Sequence, residues 1–320
     1  MCMDLKTLAE EIVKGRRLQR GEDFSFFKDC DLNQLCQGAD YIRKELCGDR
    51  VDLCSIINGR SGRCRENCKF CAQSSFNHTN CEVYDFLDEE KIIQAAKENQ
   101  KEGIHRFAIV TAGKALSGEE FQKALSAYKK MHESVNIDLC ASMGFLTKEQ
   151  LLQLKVAGVR NYHHNIETSR RNFPNICTTH TYEMKLNTLK LVKEVGLRAC
   201  SGGIIGMGET FEDRIDMALS LSEIAVDSIP INVLSPIKGS PLENLPALEE
   251  DEVLRTVAVF RYFNPTAMIR LAAGRCHLSN GGERAFNAGA NATITGNMLT
   301  TTGTSIKSDK ELFKKLGRTF

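Results

Sequence analysis

The chain has no long run of one charge sign. Its 42 Lys and Arg face 41 Asp and Glu, a formal net charge of +1 over 320 residues, which removes the electrostatic case for a nucleic-acid or other polyanionic partner. No stretch approaches the apolar length of a membrane span, and the segment MCMDLKTLAEEIVKGRR mixes acids and bases without an apolar h-region. No membrane association and a cytoplasmic location are the expectation. Linkers, solenoid-period repeats and low-complexity segments are missing too, which leaves one large domain with terminal extensions. Cysteine is abundant by contrast. Thirteen are present, an odd number that argues against a complete set of intramolecular disulfides and points to metal ligation. For Cys2, Cys30, Cys36, Cys47, Cys54, Cys81 and Cys177 the expectation is an inert, buried thiol.

Three of the cysteines, Cys64, Cys68 and Cys71, stand in the run GRCRENCKFCAQSS as CxxxCxxC with no fourth partner in the loop. A structural zinc site closes its tetrahedron with four protein ligands, whereas an iron–sulfur cube is held by thiolates and becomes reactive when one iron stays open. The competing reading is a zinc knuckle completed by His78 or Cys81.

Short apolar runs alternate with amphipathic stretches along most of the chain, the pattern of repeated β-α units around a parallel sheet. Strands are expected at 51–57, 106–111, 137–142, 159–165, 198–204, 229–234, 268–272 and 291–294, with helices at 88–102, 118–132, 147–157, 181–195, 210–225 and 249–263. Thr147 with Gln150 reads as a capping box, and Gly158 and Gly196 as C′ glycines. The fold class is therefore α/β, a TIM-type (β/α)8 barrel over residues 50–320, preceded by an N-terminal helical extension over 1–49 with helices at 4–16 and 32–46. The CxxxCxxC loop follows the first strand, at the end of the barrel where active sites gather.

CxxxCxxC with Phe70 before its last cysteine resembles the signature of the radical S-adenosylmethionine enzymes. Together with FCAQS at 70–74, YHHNIETS at 162–169, CSGGIIGMGET at 200–210, PINVL at 230–234 and RLAAGR at 270–275, it resembles the biotin synthase family from about residue 50 onward. The resemblance implies a sulfurtransferase that inserts sulfur into dethiobiotin, starting from 5′-deoxyadenosyl radicals. It implies a [4Fe-4S] cluster on Cys64, Cys68 and Cys71, and S-adenosylmethionine held by Asn165, Glu167 and the backbone of Gly202, Gly203, Gly206 and Gly208. His163 and Asn232 would face dethiobiotin, Thr301 and Thr302 its carboxylate. An electron donor such as flavodoxin or ferredoxin and a homodimer are further implications.

The auxiliary iron–sulfur cluster that supplies the sulfur, [2Fe-2S] or a larger variant, is implied to sit on three cysteines and an arginine. Cys140, Cys200 and Arg270 match three of those positions, but Ala108 stands at the fourth and cannot bind iron. Cys276, six residues beyond Arg270, is the expected replacement. Glu167 also lengthens the usual aspartate by one methylene. Two alternatives remain: a maturase of the hydrogenase-maturation type sharing the barrel, and a non-catalytic iron–sulfur or zinc-binding protein.

Overall fold

A computed structural model describes residues 4–296 and 303–320. The strands form where the apolar runs stood: β1 (Asp52–Arg60), β2 (Arg106–Thr111), β3 (Asp138–Ser142), β4 (Val159–His163), β5 (Arg198–Cys200), β6 (Gly203–Ile205), β7 (Ser228–Val233), β8 (Met268–Leu271) and β9 (Ala292–Ile294). All neighbours pair in parallel, β9 returns to β1, and the sheet closes into an eight-position barrel with β5 and β6 sharing the fifth position. That position was expected as one strand. It breaks at Ser201 and Gly202 because the Asn165 side chain accepts the Gly202 N–H at 3.0 Å in place of a strand partner. A Cβ on Gly202 would lie 2.0 Å from the Pro230 carbonyl oxygen, so no side chain fits at the break.

The surrounding helices fall within two residues of their expected ends. Thr147 and Gln150 form the reciprocal box that starts the helix Lys148–Val156, and Gly158 and Gly196 take positive φ after their helices, where a Cβ would be strained. The helix Leu32–Cys47 packs on the outer helix Glu250–Phe263, and the N-terminal helix Leu5–Val13 packs in turn on Leu32–Cys47. Tyr262 is central to that contact: its hydroxyl donates to the Leu5 carbonyl at 3.2 Å, and a Cβ on Gly38 would collide with it. A further helix, Ile306–Lys315, was not expected. Its polar stretch is pinned by a buried ion pair, Asp309 to Arg275 at 2.6 Å, and by Phe313 against Phe286.

The barrel floor is charged. Asp52, which opens β1, accepts from Arg106 Nε at 3.0 Å and also pairs with Arg270. Arg106 reaches on to Asn161 Oδ1 at 2.7 Å, and Arg270 to the Thr293 carbonyl at 2.8 Å. All of these side chains are buried, and the network ties β1, β2, β4, β8 and β9 together. Removing one partner of a buried ion pair costs about 3–5 kcal/mol because the other charge is stranded. Asp52→Asn is therefore expected to lower the unfolding free energy by about that amount in anaerobic urea denaturation at neutral pH. A loss below about 1 kcal/mol, the worth of an exposed pair, would contradict this assignment.

Candidate active site: two sets of thiols in one barrel

The CxxxCxxC loop leaves β1 and folds back on itself. The Cys64 N–H donates to the Gln73 carbonyl at 3.0 Å, the Cys71 N–H to the Cys68 carbonyl at 3.1 Å, and Asn77 Nδ2 to the carbonyls of Cys68 and Cys71 at 3.1 and 2.8 Å. With its backbone satisfied internally, the loop presents all three thiols to a cavity of about 400 Å³ at the barrel mouth. Burial pushes the Cys71 thiol up to about 11, so metal binding there releases a proton.

Deeper in the barrel lies a second set. In a barrel of this type each inward layer is built from alternate strands, with the register stepping along the barrel as it closes. From Cys54 on β1, backbone pairing leads through Arg106 to Asp138 on β3, and Cys140 stands two residues beyond. From Cys140 it leads through Asn161 to Arg198, two residues short of Cys200. From Cys200 it passes Ser228 to Met268, two short of Arg270, and from Arg270 it passes Ala292 to Asp52, two short of Cys54 again. Cys54, Cys140, Cys200 and Arg270 are thus one closed layer from barrel positions one, three, five and seven, and all four line the cavity.

Cys54, expected to be an inert buried thiol, is buried and lines the cavity in this layer. Asp52 and Cys54 point the same way because side chains alternate along a strand, so the carboxylate that binds two interior arginines also marks Cys54 as interior. The hydrogen bond from Cys140 pulls the Cys54 thiol below its ordinary range, with Arg270 and Arg106 acting in the same sense, and Cys140 is pushed well above it. Cys276, the expected replacement ligand, is exposed on the short turn Arg275–His277 and does not line the cavity. Ala108 lines the wall from β2, an even position outside this layer. Arg270 already donates to Asp52, Thr293 and Ser228, so its charge is fixed at the layer.

Between the two sets lie polar groups from the strand ends. His163 Nδ1 is 3.4 Å from Cys200 Sγ, and burial, then Lys185 and Arg270, pushes the imidazole down to about 4, leaving it neutral near pH 7. Asn232 bridges β7 to its neighbours, donating to the Gly203 carbonyl at 3.0 Å and accepting from the Ala273 N–H at 3.1 Å; one N–H and one lone pair stay available. Glu167 has φ of 71°, an uncommon conformation for a side-chain-bearing residue and one concentrated at functional sites. Its Oε1 lies 3.5 Å from Lys185 Nζ, while its Oε2 is buried with no hydrogen-bond partner among the described residues. Lys185 escaped the sequence reading, although a lysine in line with Leu189 and Val192 on a buried helix stripe was a usable signal.

The glycine run divides. A Cβ on Gly203 would lie 2.3 Å from the Glu167 carbonyl oxygen, so this glycine lets the two loops meet. Gly206 and Met207 donate their N–H groups to Glu209, at 2.7 Å each, and Glu209 pairs with Arg214. Those donors are spent within the protein, and none of Gly202, Gly203, Gly206 and Gly208, the expected backbone of the nucleoside site, lines the cavity. Thr301 and Thr302 lie outside the described residues.

The donor set fits iron–sulfur chemistry at both levels. Three thiols without a fourth cysteine in the loop suit a cluster with an open iron. The deeper layer sits over two guanidiniums balanced by one carboxylate, a surplus of buried positive charge that thiolates and an anionic cluster would neutralise. The orphaned Glu167 oxygen suits a ligand hydroxyl pair.

Residues 60–221 match the radical SAM superfamily, and residues 230–319 match the Biotin and Thiamin Synthesis associated domain. The chain is 60% identical over 315 residues to a biotin synthase of Alkaliphilus metalliredigens (strain QYMF), covering 98% of this chain and 99% of that one. It is 58% identical over 313 residues to a biotin synthase of Clostridium beijerinckii (strain ATCC 51743 / NCIMB 8052), with the same coverage. The chain belongs to the biotin synthase family of the radical SAM superfamily. Among solved structures, methylornithine synthase (PylB) superposes with a TM-score of 0.82 at 19% identity, covering 98% of this chain and 96% of that one. The hydrogenase maturase HydG gives 0.82 at 16%, covering 99% and 75%. At such identity both bear on the barrel alone. No helix among the described residues is long and apolar enough to cross a membrane.

The YHHNIETS loop of this biotin synthase family member is fastened from behind. Ser169 Oγ donates to Asp213 Oδ1 at 2.6 Å, Arg171 pairs with the same carboxylate, and Thr210 donates its N–H to Oδ2 at 2.8 Å. Burial opposes ionisation, yet these bonds hold the carboxyl at about 2. A carboxyl depressed below its unfolded value of about 3.9 contributes its stabilisation above that pH and loses it as the pH falls through the folded value. Unfolding free energy should therefore decline between about pH 4 and pH 2, and less steeply in Asp213→Asn. Equal slopes in the two proteins would remove Asp213 from this role.

Proposed function

We propose that the chain converts dethiobiotin to biotin by radical sulfur insertion. In this reading Cys64, Cys68 and Cys71 hold a [4Fe-4S] cluster, and Cys54, Cys140 and Cys200, with Arg270 beside them, hold the auxiliary iron–sulfur cluster. The observation that carries it is the closed layer of three thiols and a guanidinium beneath a cavity whose mouth holds three further thiols, one set for starting a radical and one for supplying sulfur. When bound, the mouth cluster and S-adenosylmethionine supply the hydrogen-abstracting 5′-deoxyadenosyl radical, and the auxiliary cluster supplies the sulfur.

The protein's part is orientation and exclusion. Glu167, with its unpartnered oxygen, accepts from the ribose hydroxyls, and Asn165, whose Oδ1 is bound to Gly202, offers its amide donors to the same ligand. The spare donor and acceptor of Asn232 match the complementary groups of a ureido ring. Neutral His163, whose Nδ1 is 3.4 Å from Cys200 Sγ, would face the same ring and add no charge there. Thr301 and Thr302 remain the expected partners of the substrate carboxylate. The enclosing strands exclude water, which a carbon radical near the nucleoside requires. A reduced flavodoxin or ferredoxin in the cytoplasm is the donor this reading calls for. The maturase alternative is less supported, because near-full-length identity runs to biotin synthases.

Anaerobic incubation with dethiobiotin, S-adenosylmethionine and reductant should yield biotin and 5′-deoxyadenosine together. Cys54→Ala should still produce 5′-deoxyadenosine while losing auxiliary iron, acid-labile sulfide and at least about 99% of biotin formation, a barrier increase of about 2.7 kcal/mol. Cys276→Ala should match the unaltered protein. Absence of biotin overturns the reaction assigned here; full auxiliary iron in Cys54→Ala overturns the ligand set alone.

A further inference from the structure

Cys177 and His180, outside both thiol sets, meet Cys68 beneath the mouth loop. Cys177 Sγ lies 3.7 Å from Cys68 Sγ and 3.4 Å from His180 Nδ1, and the three ligand atoms all fall within 4.8 Å of one another. Tetrahedral zinc with bonds of about 2.3 Å to sulfur and about 2.0–2.1 Å to nitrogen spaces its ligand atoms at about 3.5–3.8 Å. The Cys177–Cys68 and Cys177–His180 separations match those edges to within about 0.2 Å, and the Cys68–His180 pair lies within 4.8 Å.

The site is held from several sides. Cys177 and His180 are buried. The rings of Phe145 and Phe173 pack edge-on against the imidazole, with centroids 5.0 and 5.6 Å away. Asn67, between the cysteines of the mouth loop, accepts the N–H groups of Thr178 and Thr179 at 2.9 and 3.2 Å, and Lys69 donates its N–H to the Ile176 carbonyl at 3.1 Å. Glu66 contacts both His180 Nδ1 and Thr179 Oγ1; it stands outside the group of three within 4.8 Å and becomes a fourth ligand by giving up its contact with Nδ1.

We propose that Cys68, Cys177, His180 and Glu66 form a site for a thiophilic divalent cation of tetrahedral preference, zinc above all. Binding displaces the protons of both thiols and involves no electron transfer. Because Cys68 cannot serve two metals, zinc here and the cluster at the mouth exclude one another; this second part rests on the assignment of Cys68 to that cluster. The chain then carries a choice of metal at its radical-generating loop, settled by which metal reaches Cys68 first.

Cobalt is the probe, since thiolate-bound tetrahedral Co²⁺ absorbs strongly through sulfur-to-metal charge transfer. The full chain, prepared anaerobically and freed of iron with a chelator, should bind one Co²⁺ with that spectrum and release it to Zn²⁺. Cys177→Ser and His180→Ala should each weaken binding by about tenfold or more, and Cys64→Ala should leave it in place. Loss in Cys64→Ala with no change in Cys177→Ser assigns the cobalt to the CxxxCxxC loop and overturns the site, as does the absence of a tetrahedral spectrum. In a second arm, zinc-loaded protein given iron and sulfide should fill its mouth cluster more slowly than zinc-treated Cys177→Ser. Equal filling overturns the competition while leaving the cation site standing, and an intact mouth cluster in Cys64→Ala would instead defeat the cluster assignment.

Discussion

Two guanidiniums share one carboxylate at the bottom of the barrel, and the rest of the site depends on that imbalance. Asp52 faces Arg106 and Arg270, all three buried at the base of the cavity. Burial opposes both arginine charges, but Asp52 and the neighbouring thiols more than compensate, so both guanidiniums stay protonated. One positive charge is left over directly beneath Cys54, Cys140 and Cys200. The guanidiniums act against the Cys54 contact and the burial that raise Cys140, and against the burial that raises Cys200 to about 11, so these two thiols keep their protons until a bound metal centre displaces them. The floor therefore fastens the strands and prepares the layer above it with the same three side chains.

Much of this was legible in the sequence. The β-α alternation placed all eight barrel positions, with β5 and β6 read as one strand, because parallel strands buried on both faces read as short apolar runs, and the capping box at Thr147 and Gln150 marked a helix start that the structure keeps. The mouth loop was legible because its three cysteines are close in sequence. The deep layer was not, since its members come from four separate strands and only the barrel register brings them together. Cys276 was favoured because it lies near Arg270 along the chain, yet six residues carry it past the strand end and out to solvent. Cys54 lies far from the other members in sequence, and its role emerges only when the step of two residues per pair of strands is followed around the circle.

The break between β5 and β6 shows how local irregularity serves the site. A continuous strand would have occupied the Gly202 N–H in the sheet and set a side chain against Pro230. Instead Asn165 takes that donor, Gly203 admits the Glu167 backbone, and Glu167 is turned with one oxygen free. Lys185 and Asp213 hold that loop from the helices behind it. Polar residues gather here without forming an acid–base pair, as expected when cofactors carry the difficult chemistry and the protein supplies placement.

The most direct test of the account is crystallography of the anaerobically reconstituted chain with anomalous scattering collected at the iron edge. Two separate iron peaks are predicted, one bounded by the sulfurs of Cys64, Cys68 and Cys71 and the other by those of Cys54, Cys140 and Cys200 above the Arg106–Asp52–Arg270 floor. A second peak bound to Cys276, or no iron at the deep layer in fully reconstituted protein, would contradict it.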